Sequence, residues 1–247
     1  MPAPIVVVVP YREQRPPQAL HGAVEGVWSL DVPAGVVLPD GCMDIVWSNG
    51  RLLVAGPDTV PDTRPRSGAA AGVRFRPGAL PALLGVPAVE LRDRRIPLRE
   101  FLPALADPAV ARLEHGDDPI AVLVDVAQRL PGGQPEPWRV GVLRGAARGH
   151  AAADVADALG WTTRTLHRHC LAAFGYGPAT LRRVLRFRRA LALLQAGAAP
   201  ADVAARAGYA DQPHLSREVR ELAGATPAQL SGVNRSTPVP SGSTTVA

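Results

Sequence analysis

Two stretches decide the fold: ADVADALGWTTRTLHRHC at 153–170 and ADVAARAGYADQPHLSR at 201–217. The second copies the first. Ala153-Asp154-Val155-Ala156 recurs as Ala201-Asp202-Val203-Ala204, and Gly160-Trp161 as Gly208-Tyr209, at an offset of 48. After one inserted residue the offset is 49, so that Thr162 maps to Asp211, Leu166 to Leu215, Arg168 to Arg217, Gly175 to Gly224 and Pro178 to Pro227. A repeat at constant spacing marks a structural unit. Each copy predicts a short Ala-rich helix ending at a Gly that can take the left-handed turn. An aromatic follows, and then a capping residue, Thr162 or Asp211, starts a second helix. That helix stops near a Gly-x-x-Pro, because proline cannot continue it. Two helices joined by a tight glycine turn form a helix-turn-helix, whose second helix enters the DNA major groove.

The helical faces separate. In the second copy Leu215, Val219 and Leu222 fall at i, i+4 and i+7 and predict a core stripe, whereas Pro213, Ser216, Arg217 and Arg220 fall on another face. In the first copy Leu166 and Cys170 point inward and Arg164, His167 and Arg168 outward. Both second helices therefore offer Arg, a two-pronged partner for guanine, in the same register. One such helix reads best as an ordinary solvated face; two in register favour DNA.

Between the copies, Pro178 to Ala196 predicts a helix of about 19 residues and about 28 Å, with Val184, Phe187, Leu191 and Leu194 as its apolar stripe. A rod of that length suits two reading helices about 34 Å apart, one turn of B-DNA, on one side of the duplex. Its off-stripe arginines Arg182, Arg183, Arg186 and Arg189 read equally well as phosphate contacts, with Arg182 and Arg186 the first candidates, or as a solvated face.

Working outward, charge divides the chain. Residues 1–137 hold 13 Arg and 16 Asp or Glu, a net of −3, and residues 138–247 hold 14 Arg and 6 acids, a net of +8. Every basic residue is Arg, the codon usage of a GC-rich genome, so arginine abundance alone says little; the asymmetry says more, and implies an acidic polymer as partner of one half. Residues 1–101 read as short strands broken by Pro and Gly: Ile5–Val9, Val24–Leu30, Met43–Trp47, Leu52–Ala55 and Gly72–Phe75. Ser48-Asn49-Gly50 marks a tight hairpin, and Pro77 to Leu84 a short helix ended by Gly85. Residues 103–130 change period and suit two amphipathic helices broken at Gly116-Asp117; they would line a dimer seam or cover the sheet domain, the seam being slightly preferred. The expected organisation is an N-terminal β-rich domain over 1–130 that binds an effector or dimerises, a Pro/Gly linker at 131–137, a helical domain over 138–231 and a disordered tail over 232–247.

These strings carry a family resemblance. DVADALGWTTRTLHR, FGYGP at 174–178, LRFRRALALL at 185–194 and VAARAGYADQPHLSREVR followed by GATP at 224–227 make residues 139–231 resemble the AraC/XylS-type DNA-binding domain. The resemblance implies two helix-turn-helix subdomains joined by a long helix, regulated transcription initiation in bacteria, and RNA polymerase as a partner. Carried over by position, the first reading helix offers Arg164, His167 and Arg168, and the second Gln212, Pro213, His214, Ser216 and Arg217. Cys170 and Val219 stand where the family usually has Phe, and Pro213 removes a donor where a polar side chain is common. PDGCMD at 39–44 and GVRFRPG at 72–78 resemble the sensor-like domain that precedes this reader in some actinobacterial regulators. That likeness implies a cupin-like barrel with appended helices, hence an α+β chain, and a small-molecule effector or a homodimer.

Asp40, Asp44, Arg74 and Arg76 would line a ligand pocket or, as such residues more often do, hold turns and pair with one another. Cys42 reads as a structural thiol rather than a sensor, since its sequence neighbours include no basic group. His167 and His169, two apart, cannot share a helix face for a metal. Two separated cysteines make no disulfide framework, and no nucleophile elbow, phosphate loop or dinucleotide fingerprint occurs. The sequence thus predicts no enzyme, cofactor or metal, and no membrane span. It describes a cytoplasmic, nucleoid-associated regulator that binds double-stranded DNA by sequence. Two rivals stand: a non-specific architectural binder, and an alkylation or redox sensor built on Cys42.

Overall fold

Strands β1 (Tyr11–Gln14), β2 (Val24–Leu30), β3 (Met43–Ser48), β4 (Arg51–Ala55), β5 (Ala70–Phe75) and β6 (Arg95–Pro97) form one antiparallel sheet in the order β1-β2-β5-β3-β4-β6. The computed structural model describes residues 11–31, 36–64 and 67–232. The expected strand at Ile5–Val9 lies outside them, as does the expected disordered tail over 232–247 except for Gly232, which ends a helix. Asn49 and Gly50 both take positive φ, 51° and 67°, and close the β3–β4 hairpin with Ser48 opposite Arg51. This is the turn that the Asn-Gly pair specifies. Two strands escaped the sequence reading. The Tyr11–Gln14 segment is polar, as suits a sheet edge, and Arg95–Pro97 is three residues long.

Alternation along the strands sorts the faces. Met43, Ile45, Leu52, Val54, Ala71, Val73 and Phe75 point into the main core. It is closed by α1 (Ala79–Leu84), α2 (Ala88–Leu91), α3 (Pro103–Glu114) and α4 (Pro119–Gln128). Asp118 caps α4, accepting from the amides of Ile120 and Ala121 at 3.2 Å each. The stripes of α3 and α4, with Leu105, Leu113, Val122, Leu123 and Val126, are spent on this core. That corrects the preference for a dimer seam: the same apolar face cannot serve both. Nor is the sheet a closed barrel among the described residues, since β1 and β6 stand at opposite edges. The second face carries Gly72 beneath Trp28; a Cβ at residue 72 would sit 2.4 Å from the indole.

The expected linker is held down. The Gly132 amide donates to Leu83 O at 2.9 Å, and Leu130 is buried. Seven helices follow: α5 (Trp138–Ala147), α6 (Ala152–Ala158), α7 (Thr163–Phe174), α8 (Pro178–Gln195), α9 (Pro200–Ala207), α10 (Gln212–Ala223) and α11 (Pro227–Gly232). They enclose two cores, and α8 belongs to both: Leu181 and Val184 enter the first, Phe187, Ala190, Leu191 and Leu194 the second. One rigid helix of 18 residues, about 27 Å long, thus carries both subdomains.

Candidate nucleic-acid interface

The two helix-turn-helix units are α6–α7 and α9–α10, and the sequence repeat is also a hydrogen-bond repeat. Trp161 N donates to Ala156 O, and Tyr209 N to Ala204 O, both at 2.9 Å. Gly175 N donates to Leu171 O, and Gly224 N to Arg220 O. Each turn passes through a left-handed glycine, Gly160 with φ 67° and Gly208 with φ 85°, where a side chain would be strained. Each reading helix is capped as expected: Thr162 Oγ1 accepts from Thr165 N at 3.1 Å, and Asp211 Oδ1 from His214 N at 2.6 Å. Leu166 and Leu215, equivalent in the repeat, are both fully buried. So are Cys170 and Val219, the two positions where the family resemblance led us to expect Phe.

Opposite those buried rows the reading faces are open. Arg164 and Arg168 on α7, and Arg217 and Arg220 on α10, are exposed. None of the four guanidinium groups makes a hydrogen bond or ion pair among the described residues. Arg168 and Arg217 are equivalent in the repeat, and four guanidiniums without an internal partner among the described residues suit an external anion. Gln212 and Pro213 are exposed at the start of α10, where proline has no helix bond to lose. Ser216 is half-buried beside Arg217.

Three of the sequence-derived candidates have internal work. His167 is exposed but its ring lies against Gly177, where a Cβ would stand 2.9 Å from Cε1. His214 turns inward, with Nε2 3.6 Å from Glu218 and its ring 5.2 Å from Tyr209. Arg186 is committed: its Nε donates to Glu218 Oε1 at 3.3 Å, a second prong reaches Oε2, and its guanidinium lies 4.6 Å over the Tyr209 ring. It clamps α10 to α8, and we remove it from the DNA-contacting set. Among the described residues Arg182 keeps only a long bond, 3.4 Å, to His150 O.

The buried acid Glu218 escaped the sequence reading, and it organises the second unit. It receives Arg186, the Tyr209 hydroxyl at 3.3 Å, and Arg183 Nε at 3.8 Å. Burial, reinforced by the Glu218 carboxylate, pushes the Tyr209 hydroxyl up. The one available signal was an acid at i, i+4 from His214 on an otherwise apolar side of α10.

In the N-terminal domain the structure gathers Asp40, Cys42, Asp44 and Arg74 on the second face of the sheet; Arg76 is exposed elsewhere, donating to His21 O at 3.1 Å. Arg74 Nε lies 3.4 Å from Asp44 and 3.7 Å from Asp40. Trp28 Nε1 donates to Asp44 Oδ1 at 2.8 Å, and Cys42 N to Asp40 Oδ1 at 2.8 Å. Burial raises the Asp44 carboxyl above its ordinary value despite Arg74, and raises the Cys42 thiol further. The expectation that Cys42 lacks a basic neighbour is corrected. Arg188 Nη1 of α8 lies 3.6 Å from its sulfur, 146 residues away in sequence. Among the described residues no three His, Cys, Asp or Glu side chains gather as a metal site requires, and no helix is long and apolar enough to cross a membrane.

Residues 155–232 match the family model described as a helix-turn-helix domain, and residues 12–97 match a domain of unknown function, DUF6597. The C-terminal region thus carries an AraC-type helix-turn-helix domain, behind an N-terminal antiparallel sheet domain. No curated protein sequence matches. Among solved structures the chain is similar to ToxT from Vibrio cholerae O395, with 10% identity over 85% of this chain and 97% of that one and a TM-score of 0.44. A second similar structure is wild-type ToxT from Vibrio cholerae strain SCE256 bound to an unsaturated fatty acid, with 11% identity over 86% and 96% of the two chains and a TM-score of 0.43.

Proposed function

We propose that this chain is a sequence-specific, double-stranded-DNA-binding transcription regulator whose reader is controlled through its N-terminal domain. The observation that carries the reading is the repeated exposure of Arg164 and Arg168 on α7 and of Arg217 and Arg220 on α10, on two units held by one helix. Phosphate contacts, with Arg182 among their sources, provide salt-dependent affinity. Base-edge contacts from Arg164, Arg168, Gln212, Ser216 and Arg217 provide specificity. The operator is then two short elements about one helical turn apart. RNA polymerase is the further partner of such a regulator, and the reading includes no catalytic step.

Control through the N-terminal domain is supported by the polar group gathered on the sheet's second face around Trp28, buried Arg74 with half-buried Asp40 and Asp44 and exposed Glu13 at the sheet edge, where a small effector would act. Burial raises Glu13 as well as Asp44, although Arg74 pulls both down. A homodimer draws no support from α3 and α4.

Selection of bound duplexes from a random pool tests the reading. A bipartite motif is expected, and Arg168→Ala or Arg217→Ala should each cost about 1–3 kcal/mol and relax preference at particular base pairs. A pool that yields no motif would favour the architectural binder. The sensor based on Cys42 is disfavoured by the thiol's burial and raised pKa, since the thiolate is the reactive form.

A further inference from the structure

The two domains meet along a seam with charge at its centre. Arg139 Nη1 donates to Pro77 O, and Arg92 Nη1 to Gly175 O, both at 3.2 Å. Gly175 sits so close to Pro57 that a Cβ would come within 2.7 Å of it, and Phe174 lies against Gly78. The C-terminal end of the first reading helix is therefore seated on the sheet domain, while its arginines stay exposed. Leu38 packs against the second core.

At the centre of this seam Arg188 of α8 spans Glu25 and Cys42. One prong reaches Glu25 Oε1, the other lies 3.6 Å from Cys42 Sγ, and the thiol donates to Glu25 Oε2 at 3.4 Å. The side chains of Arg188 and Glu25 are only 12% and 11% exposed. Glu25 is aimed there by a bulge: Val24 pairs with Phe75 and Gly26 with Arg74, leaving residue 25 as the extra residue. Bulges re-aim side chains in this way. Burial alone would lower the Arg188 pKa; the Glu25 and Asp40 carboxylates act against it and the pKa is raised.

An isolated buried ion pair adds little net stability, because the desolvation of both charges offsets their attraction. Apolar side chains would hold such a seam at least as firmly. What the pair adds is conditionality: removing or neutralising one partner strands the other in a dry seam. Arg188 also shares its helix with Arg186, which clamps α10 through Glu218. Two residues apart, they point about 200° apart around α8. The rod grips the sheet domain with one side and the second reading helix with the other.

We propose that Glu25, Cys42 and Arg188 form a latch that sets the balance between a docked and an undocked reading unit. The inference concerns regulation of the proposed DNA reader but is tested with no DNA present, so its failure and that of the DNA reading are separable. Amide hydrogen exchange is followed on the full chain, wild type and Arg188→Gln. Glu25→Gln, which keeps size and shape, stands in should Arg188→Gln not fold. Exchange at the seam segments 86–93 and 171–178 is expected to rise about 100-fold, with the sheet core at 43–47 and 71–75 unchanged. Unchanged seam protection overturns the latch. So does an equal loss across seam and core, which would make the triad part of the folding core.

Discussion

Two glutamates of α10 are each paired with an arginine of α8, and only one should matter. Glu221 pairs with Arg183 but is 65% exposed; Glu218 pairs with Arg186 and is 7% exposed. Replacing Glu221 by Ala removes a surface pair worth about 0–1 kcal/mol. Replacing Glu218 by Ala strands the Arg186 guanidinium and deprives the Tyr209 hydroxyl of its acceptor. Breaking a buried pair from one side costs about 3–5 kcal/mol. Arg186 keeps 24% of its side chain in water and can partly rehydrate, which places the cost near the bottom of that range, about 3 kcal/mol. For a chain of this length that is about 6–12 °C in Tm. The assay is thermal unfolding by circular dichroism, with urea titration as a second measure. Glu218→Gln, which keeps an acceptor, should fall between the two. A Glu218→Ala loss no larger than that of Glu221→Ala would refute the claim that the buried acid seats the second reading helix.

Three further outcomes follow from the sheet domain and the thiols. Burial holds the Asp44 carboxyl above its ordinary 3.8, against Arg74. The folded state then binds more protons than the unfolded state between 3.8 and the raised value, so this group's contribution to stability falls as pH rises through that window. Asp44→Asn, still able to accept from Trp28, should flatten that fall and melt no earlier than wild type at neutral pH; a marked loss of Tm there would count against the assignment. Gly72→Ala forces the Trp28 indole off the strand and should cost about 1–3 kcal/mol, although glycine-to-alanine in a strand ordinarily stabilises; an unchanged urea midpoint would show that the indole yields freely. Burial pushes the Cys170 thiol up to about 12 and raises Cys42, so intact mass should show no alkylation of the folded chain by iodoacetamide and two additions in denaturant. Rapid single alkylation of the native protein would restore the sensor reading for Cys42.

Local rules were enough for much of the reader. The glycine turns at 160 and 208, the caps Thr162 and Asp211, and the buried row led by Leu166 and Leu215 all depend on contacts within about four residues, and a repeat displays such contacts twice. The Asn49-Gly50 hairpin was legible for the same reason. Partners across distance were not. Arg182, Arg183, Arg186 and Arg188 sit on one helix and are alike in sequence. Packing turned Arg186 onto Glu218, 32 residues on, and Arg188 onto Glu25, 163 residues back. Only the tertiary structure decided that α3 and α4 cover the sheet, since an amphipathic stripe specifies that something apolar will meet it and not what. Helix, turn and cap are thus properties of short sequence windows; the choice of partner for a buried charge belongs to the packed whole, because only packing determines which counter-charge lies within reach and how little water remains between them.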